Sequence, residues 1–325
     1  MKSRPVLITT MAVLSAAALS ITGCSGGSST NNSSKSSKIT FVPGVVGDEF
    51  YITMGCGIQA KAKELGATYL QQGPQKSDPA EQRTIIDSVV AAKPDAMLVA
   101  PADVTAMEAP LKAASSSGIK VGLVDTTVTN PSFAVTEVAS DNVGGGAAAF
   151  KALEDQIPNG GKLLIISQKP GISTLDLRTQ GFVDAAKANS KFEVLPVQYN
   201  DNDVTKAAQI VTATLQQYPD LAGIFSTNIF AAEGSSTGIR QAGKTGQVKV
   251  VGFDAGPKQV EQLRAGTVQA LIAQQPALIG SKGVEQIMNA LNNRAVDKKI
   301  QTSFKTLTSA NIDTDGKEYI YKSSC

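Results

Sequence analysis

The chain has 325 residues, 42% of them apolar and 18% charged, enough hydrophobic material for two packed lobes and an ordinary globular balance. A formal net charge of +2, with Lys and Arg dispersed along the chain, leaves nucleic-acid binding without electrostatic support. Histidine and tryptophan are absent, which excludes Ser-His-Asp, Cys-His and HExxH chemistries and removes the commonest ligand for zinc.

Lys2 and Arg4 precede the mostly apolar stretch "PVLITTMAVLSAAALSITGC", the layout of an export signal. It ends in Ile21-Thr22-Gly23-Cys24, which resembles the bacterial lipobox. On that reading residues 1–23 are a lipoprotein signal peptide, Cys24 is lipidated, and the Ser- and Asn-rich residues 24–38 are a flexible tether. A transmembrane anchor, or a signal cut elsewhere, is the alternative. Cys56 and Cys325 are then an even pair in an oxidising compartment. They either form a disulfide that ties the tail to the first helix or remain a buried thiol and a free tail thiol.

Beyond the tether, "KITFVPGV" is expected to be a strand and "EFYITMGCGIQAKAKELG" a helix. "ATYLQQ", "DAMLVAP" and "KVGLVDT" are the next strands, separated by the helices of "DPAEQRTIIDSVVAA", capped by Asp78, and "DVTAMEAPLKAASSSG". After "ASDNVGGGAAAF" the alternation resumes with the strands "KLLIIS", "FEVLPVQY", "LAGIFSTN", "VKVVGFD" and "VQALIAQ" and helices between them. "PALIGSKGVEQIMNALNN" adds one helix and "KIQTSFKTLT" one strand. Strand-helix alternation with Gly and Pro at the joints describes two similar Rossmann-like α/β lobes with parallel sheets. Ligands of such sheets sit beyond the carboxyl ends of the strands, where nearly every run here ends in a polar residue.

Asp254 ends one of these runs, in "VKVVGFDAGP". Taken alone it could be a catalytic base, a metal ligand or an acceptor for a ligand's hydroxyls. No compact Asp-x-Asp loop surrounds it for calcium, no histidine is available for zinc, and spacing alone leaves a glycosidase carboxylate pair open.

The segments "GDEFY", "LVDTT", "ASDN", "STLDLRTQGF", "STN", "VVGFD" and "IAQQPALIGSKGVE", in this order, resemble the periplasmic sugar-binding proteins of the ribose-binding type over essentially the whole chain after the tether. The resemblance implies a periplasmic binding protein type I fold with a three-segment hinge. Its lobes would be 39–140 with 275–304, and 141–274 with 305–325 including the tail. It implies a solute receptor for an ABC permease and its ATPase, expected to be a monomer without a cofactor. The export signal and lipobox place it outside the cytoplasm, held on the membrane by its lipid alone, and export, tether and three lobe crossings argue for binding without enzyme activity. Residue by residue, the resemblance implies ligand contacts from Asp48, Phe50, Tyr51, Asp125 and Thr126 of the first lobe. From the second lobe it implies Arg178, Asn202, Asn228 and Asp254, with Gln274 at a crossover. Thr126 stands where the ribose binder has arginine and Asn202 where it has an aromatic ring, so ribose itself is not implied.

Chemically the set suits a sugar, with aromatic surface for its C–H faces and charge-assisted hydrogen bonds for its hydroxyls. Three carboxylates against one arginine disfavour a sugar acid, so a neutral monosaccharide or polyol is expected. A receptor presenting the same sugar to a membrane sensor would share every feature. A lactose-type repressor would need an N-terminal helix-turn-helix in place of the export signal. "GIRQAGKT", Gly238 to Thr245, matches the phosphate-loop pattern, but it follows a helix and leads into a strand, the reverse of the order phosphate binding needs.

Overall fold

The computed structural model describes residues 36–325, so the signal, the lipobox and Cys24 lie outside the described residues. The first lobe is built on β1 (Lys38–Val42), β2 (Thr68–Gln71), β3 (Ala96–Val99), β4 (Lys120–Val124) and β5 (Glu137–Ser140). Its helices are α1 (Glu49–Glu64), α2 (Pro79–Ala91) and α3 (Glu108–Ser116). The second lobe holds α4 (Asn142–Gln156), β6 (Gly161–Ser167), α5 (Ser173–Lys187), β7 (Phe192–Val194), β8 (Gln198–Tyr199) and α6 (Val204–Gln217). It continues with β9 (Leu221–Ser226), α7 (Ile229–Gln241), β10 (Lys249–Phe253), α8 (Pro257–Arg264) and β11 (Ala270–Ala273). Then come α9 (Pro276–Leu291), β12 (Lys299–Thr302), β13 (Lys305–Leu307) and a 3-10 turn at Lys317–Tyr319.

One sheet runs β12-β5-β4-β3-β1-β2, with every pairing parallel. The other runs β13-β11-β10-β9-β6-β7, with β8 also on β6, and only β13 is antiparallel. Central strands such as "AMLV" of β3 are buried along their whole length because helices cover both faces of a parallel sheet. The chain passes between the lobes between β5 and α4, between β11 and α9, which packs on α1 and β4, and between β12 and β13.

Local chemistry sets the helix starts. Asp78 accepts from the amides of Ala80 and Glu81, both at 2.9 Å, with Pro79 in the first turn, where a missing N–H costs nothing. Asp48 caps α1 through Phe50 N at 2.8 Å, and Asn228 caps α7 through Ala231 N at 3.1 Å. Packing tightens where glycines let helices touch. A Cβ on Gly146 of α4 would stand 2.1 Å from the Arg178 carbonyl, and one on Gly181 of α5 would stand 2.0 Å from that of Val143. Within the glycine run before Phe150, Gly146 therefore serves the close contact of α4 with α5, and Gly145 makes room for Phe253 of β10.

Several expectations need correction. "KIQTSFKTLT" is two strands in different sheets, because the chain changes lobe at Ser303 and Phe304. "FEVLPVQY" breaks into β7 and β8 around Pro196, which has no N–H for a ladder. The segment before the first crossover holds a short strand, β5, that its mixed polarity concealed. The tether ends earlier than residue 38, since Ser37 already accepts from Thr68 N at 2.8 Å and Lys38 begins β1. Of the two alternatives for the cysteines, the Cys56–Cys325 disulfide is the one present, so the tail crosses from the second lobe and its last residue is joined to α1.

The phosphate-loop look-alike is the end of α7 and the turn after it, with Gly243 at φ 67° where the helix stops.

Candidate functional site

Asp125 directly follows β4 and Asp254 directly follows β10, at the carboxyl ends of corresponding strands in the two sheets. Both adopt left-handed backbone, φ 65° and 77°, a conformation that Asp tolerates better than most residues. Their amides stay paired with neighbouring-strand carbonyls, Asp125 N to Val138 O at 2.8 Å and Asp254 N to Ile272 O at 2.9 Å. The chain thus leaves each sheet without losing a buried hydrogen bond.

Each carboxylate receives a tyrosine hydroxyl. Tyr51 donates to Asp125 Oδ2 at 2.9 Å and Tyr321 to Asp254 Oδ1 at 3.0 Å. Gln274 Nε2 donates to the same Asp254 oxygen at 2.7 Å. Arg178, 3% exposed, approaches Asp254 Oδ2 with Nη1 at 3.9 Å. The guanidinium lies over the Phe253 ring at 3.8 Å and is aimed by Nε to Asn142 Oδ1 at 2.9 Å and Nη1 to the Thr227 carbonyl at 2.8 Å. Two of its five N–H groups are thereby used, and the other three have no hydrogen-bond partner among the described residues.

Asp48, Phe50, Tyr51, Asp125, Thr126, Arg178, Asn202, Asn228, Asp254 and Gln274 all line one cavity between the lobes. The lobes also touch at its rim. Val104 N donates to Gly171 O and Thr127 N to Ser173 Oγ, both at 3.0 Å, and Lys169 Nζ donates to Ser77 O at 2.8 Å.

The individual parts differ from the sequence-based picture. Phe50 is buried, edge-on to Tyr51 at 5.2 Å, so Tyr51 carries the partly exposed ring. Thr126 donates its hydroxyl to Pro101 O at 2.8 Å. Asn228 cannot accept and donate freely, because its oxygen caps α7 and its amide donates to Asn202 Oδ1 at 2.7 Å. Gln274 Oε1, by contrast, is buried with no partner among the described residues, an acceptor in need of a donor.

Electrostatics revises the charge count. Burial, reinforced by Asp254, pushes Asp48 up to about 8, so near neutral pH it is mostly protonated. Burial pushes Asp125 up to about 6 against the pull of Arg178 and Tyr51. Asp254 is also raised by burial, opposed by Arg178, Gln274 and Tyr321. Fewer than three full negative charges therefore face Arg178. Among the described residues no group of three or more His, Cys, Asp or Glu side chains is placed to hold a metal.

Sequence reasoning missed Gln168, Ser77, Ile172, Thr174 and Leu175 of the lining, and Tyr321 behind Asp254. Gln168 directly follows β6 and carried the same strand-end signal as Asp125. Tyr321 carried none of its own; only the nearby Cys325, if paired with Cys56, hinted that the tail returns to α1.

Two α/β lobes with cleft-facing polar strand ends define a solute-binding protein. A profile of the periplasmic binding protein domain matches residues 39–295, and the chain belongs to that family. It is 31% identical over 267 residues to the ribose import binding protein of Salmonella typhimurium, covering 82% of this chain and 89% of that one. The Bacillus subtilis ribose import binding protein is 29% identical over 259 residues, covering 80% and 83%. Among solved structures, an ABC transporter solute-binding protein from Agrobacterium vitis with bound α-D-tagatopyranose superimposes with TM-score 0.86 at 39% identity, covering 88% of this chain and 99% of that one. A second from the same organism, with bound D-fucose, gives 0.84 at 30% identity, covering 87% and 100%. These relatives are solute-binding proteins and not enzymes.

Proposed function

We propose that this protein is the extracytoplasmic receptor of an ABC importer and binds a neutral monosaccharide or polyol between its lobes. The observation that carries this reading is the buried Gln274 Oε1, which has no partner among the described residues, on a side chain that lines the same cavity as Arg178 and the partly exposed Tyr51. Such a surface offers acceptors and donors to a ring of hydroxyls and an apolar face to C–H groups. The sugars bound by its relatives support the same class of ligand.

In this reading Asp48, Tyr51, Asp125, Arg178, Asn202, Asn228, Asp254 and Gln274 contact the sugar, and Phe50 and Thr126 support them from behind. An open form takes the sugar on one lobe, and the second closes over it by rotation about the three crossings, the hinge closure general to periplasmic binding proteins. The closed monomer then docks on the permease, whose ATPase drives import. Cys24, lipidated after removal of residues 1–23, holds the protein on the outer face of the cell membrane. A Cys24→Ser variant recovered in the membrane fraction as fully as wild type would overturn the anchor.

Calorimetric titration with pentoses, hexoses, polyols and uronates tests the ligand class. At least one neutral sugar or polyol is expected to bind with micromolar or tighter affinity. Binding of a uronate with none of the neutral compounds would overturn the reading.

A further inference from the structure

The last residues of the chain cross from one lobe to the other. Tyr321 N donates to the Ala255 carbonyl of the second lobe at 3.0 Å, and the very next amide, of Lys322, donates to Thr53 Oγ1 of α1 in the first lobe at 2.7 Å. The Cys56–Cys325 disulfide closes this crossing covalently. Tyr321 is held at its centre. It is 4% exposed, its ring lies 5.9 Å from that of Phe50, and its hydroxyl accepts from the Gln274 backbone N–H and donates to Asp254 Oδ1, both at 3.0 Å. One hydroxyl therefore touches both the second lobe crossing and the cleft carboxylate.

We propose that the disulfide-closed tail is a fourth lobe crossing and that Tyr321 is a positioning residue for Asp254, held on it by the Cys56–Cys325 bond. Cys325 lies four positions after Tyr321, so the segment spans at most about 14 Å even when fully extended. The bond keeps Tyr321 within that reach of α1 whatever the lobes do. Without it the exposed residues 322–325 are anchored chiefly by the Lys322–Thr53 contact, and the tail frays as chain ends do. Asp254 would then lose a donor that favours its ionised form.

The titratable and charged groups facing Asp254 are Arg178 from α5, Tyr321 from the tail, and Asp48 and Asp125 from the first lobe, beside the neutral donor Gln274. Of these, the tail supplies only the tyrosine.

The test is a carboxyl-carbon NMR titration of the full mature protein without ligand, so it is independent of which sugar, if any, binds. The Asp254 signal is assigned by its loss in Asp254→Asn and that of Asp125 by Asp125→Asn. Tyr321→Phe keeps the ring and the bond but removes the hydroxyl; Cys325→Ser, at an exposed position, removes the bond and keeps the hydroxyl. Each is expected to move the Asp254 midpoint upward by about one pH unit, with Asp125 moving far less, and the double variant is expected to move it no further. A Cys56→Ser/Cys325→Ser pair should reproduce the single variant. An Asp254 midpoint unchanged in Tyr321→Phe, or unchanged when the bond is removed, overturns the proposal. Equal movement of Asp125 and Asp254 overturns it too, since that would reflect general loosening.

Discussion

Asp125 and Asp254 occupy equivalent places in the two lobes, each with positive φ directly after a central strand and each receiving a tyrosine hydroxyl at about 3 Å. The two tyrosines come from opposite ends of the chain, Tyr51 from the first turn of α1 and Tyr321 from the tail. The cleft therefore presents two carboxylates already oriented by their neighbours, which lowers the ordering cost of binding.

Asp254→Ala should weaken binding of the sugar identified by titration by about fivefold to a thousandfold, on the order of 1–4 kcal/mol. The substitution removes an acceptor and also strands Gln274 Nε2 and the Tyr321 hydroxyl. Calorimetry reads the effect directly, and unchanged affinity would remove Asp254 from the site.

Affinity should rise with pH between 5 and 7. Asp125 is pushed up to about 6 in the protein without ligand. A hydroxyl donating to its ionised form pulls that value down on binding, so the complex holds fewer protons and is favoured as pH rises. If the value in the complex returns to about 4, the gain across this range is about tenfold. Asp125→Asn should bind more weakly and with a flat profile over the same range; a flat wild-type profile would contradict the assignment.

Asp48 makes the opposite prediction for stability. Its folded-state value is raised from 3.8 to about 8, so the folded protein holds a proton that the unfolded chain releases. Stability from this group is fully present below about 4 and is lost as pH rises through 8. Asn at position 48 retains the cap on α1 but cannot titrate. Urea unfolding of Asp48→Asn should therefore show a smaller decline between pH 4 and 8 than wild type.

Gly146→Ala should destabilise the second lobe by about 1–3 kcal/mol, because its Cβ would stand 2.1 Å from the Arg178 backbone carbonyl, which cannot move like a flexible side-chain tip. Since α5 carries Arg178 into the cleft, sugar affinity should fall as well. Thermal unfolding and calorimetry on the same sample would show both losses. Full stability in the variant would mean that α4 and α5 can separate freely.

Much of the site was legible because parallel sheets place ligands at strand ends. Asp125 and Asp254 each follow an unbroken apolar run, and that pattern is local. Asn228 shows the limit of such reading. An Asn directly before a helix is a capping signal, present in "STNIFAA", and its oxygen is indeed committed to Ala231 N, so that only its amide N–H groups remain to serve a ligand. Thr126 could not be resolved in advance, because its acceptor, Pro101 O, lies on a different loop.

The sequence by itself determined the alternation that builds two α/β lobes, the polar strand ends that face a cleft, and the absence of histidine chemistry. These depend on contacts within a strand and the turn that follows it. Only the tertiary structure decided that "KIQTSFKTLT" divides between two sheets, that Asp48 holds a proton near neutral pH, and that Tyr321 stands behind Asp254. The physical reason is separation along the chain. Tyr321 lies 67 residues from Asp254, and Cys325 lies 269 from Cys56. Whether such groups meet depends on how whole lobes pack, and burial, which sets the proton affinity of Asp48, exists only after they have done so.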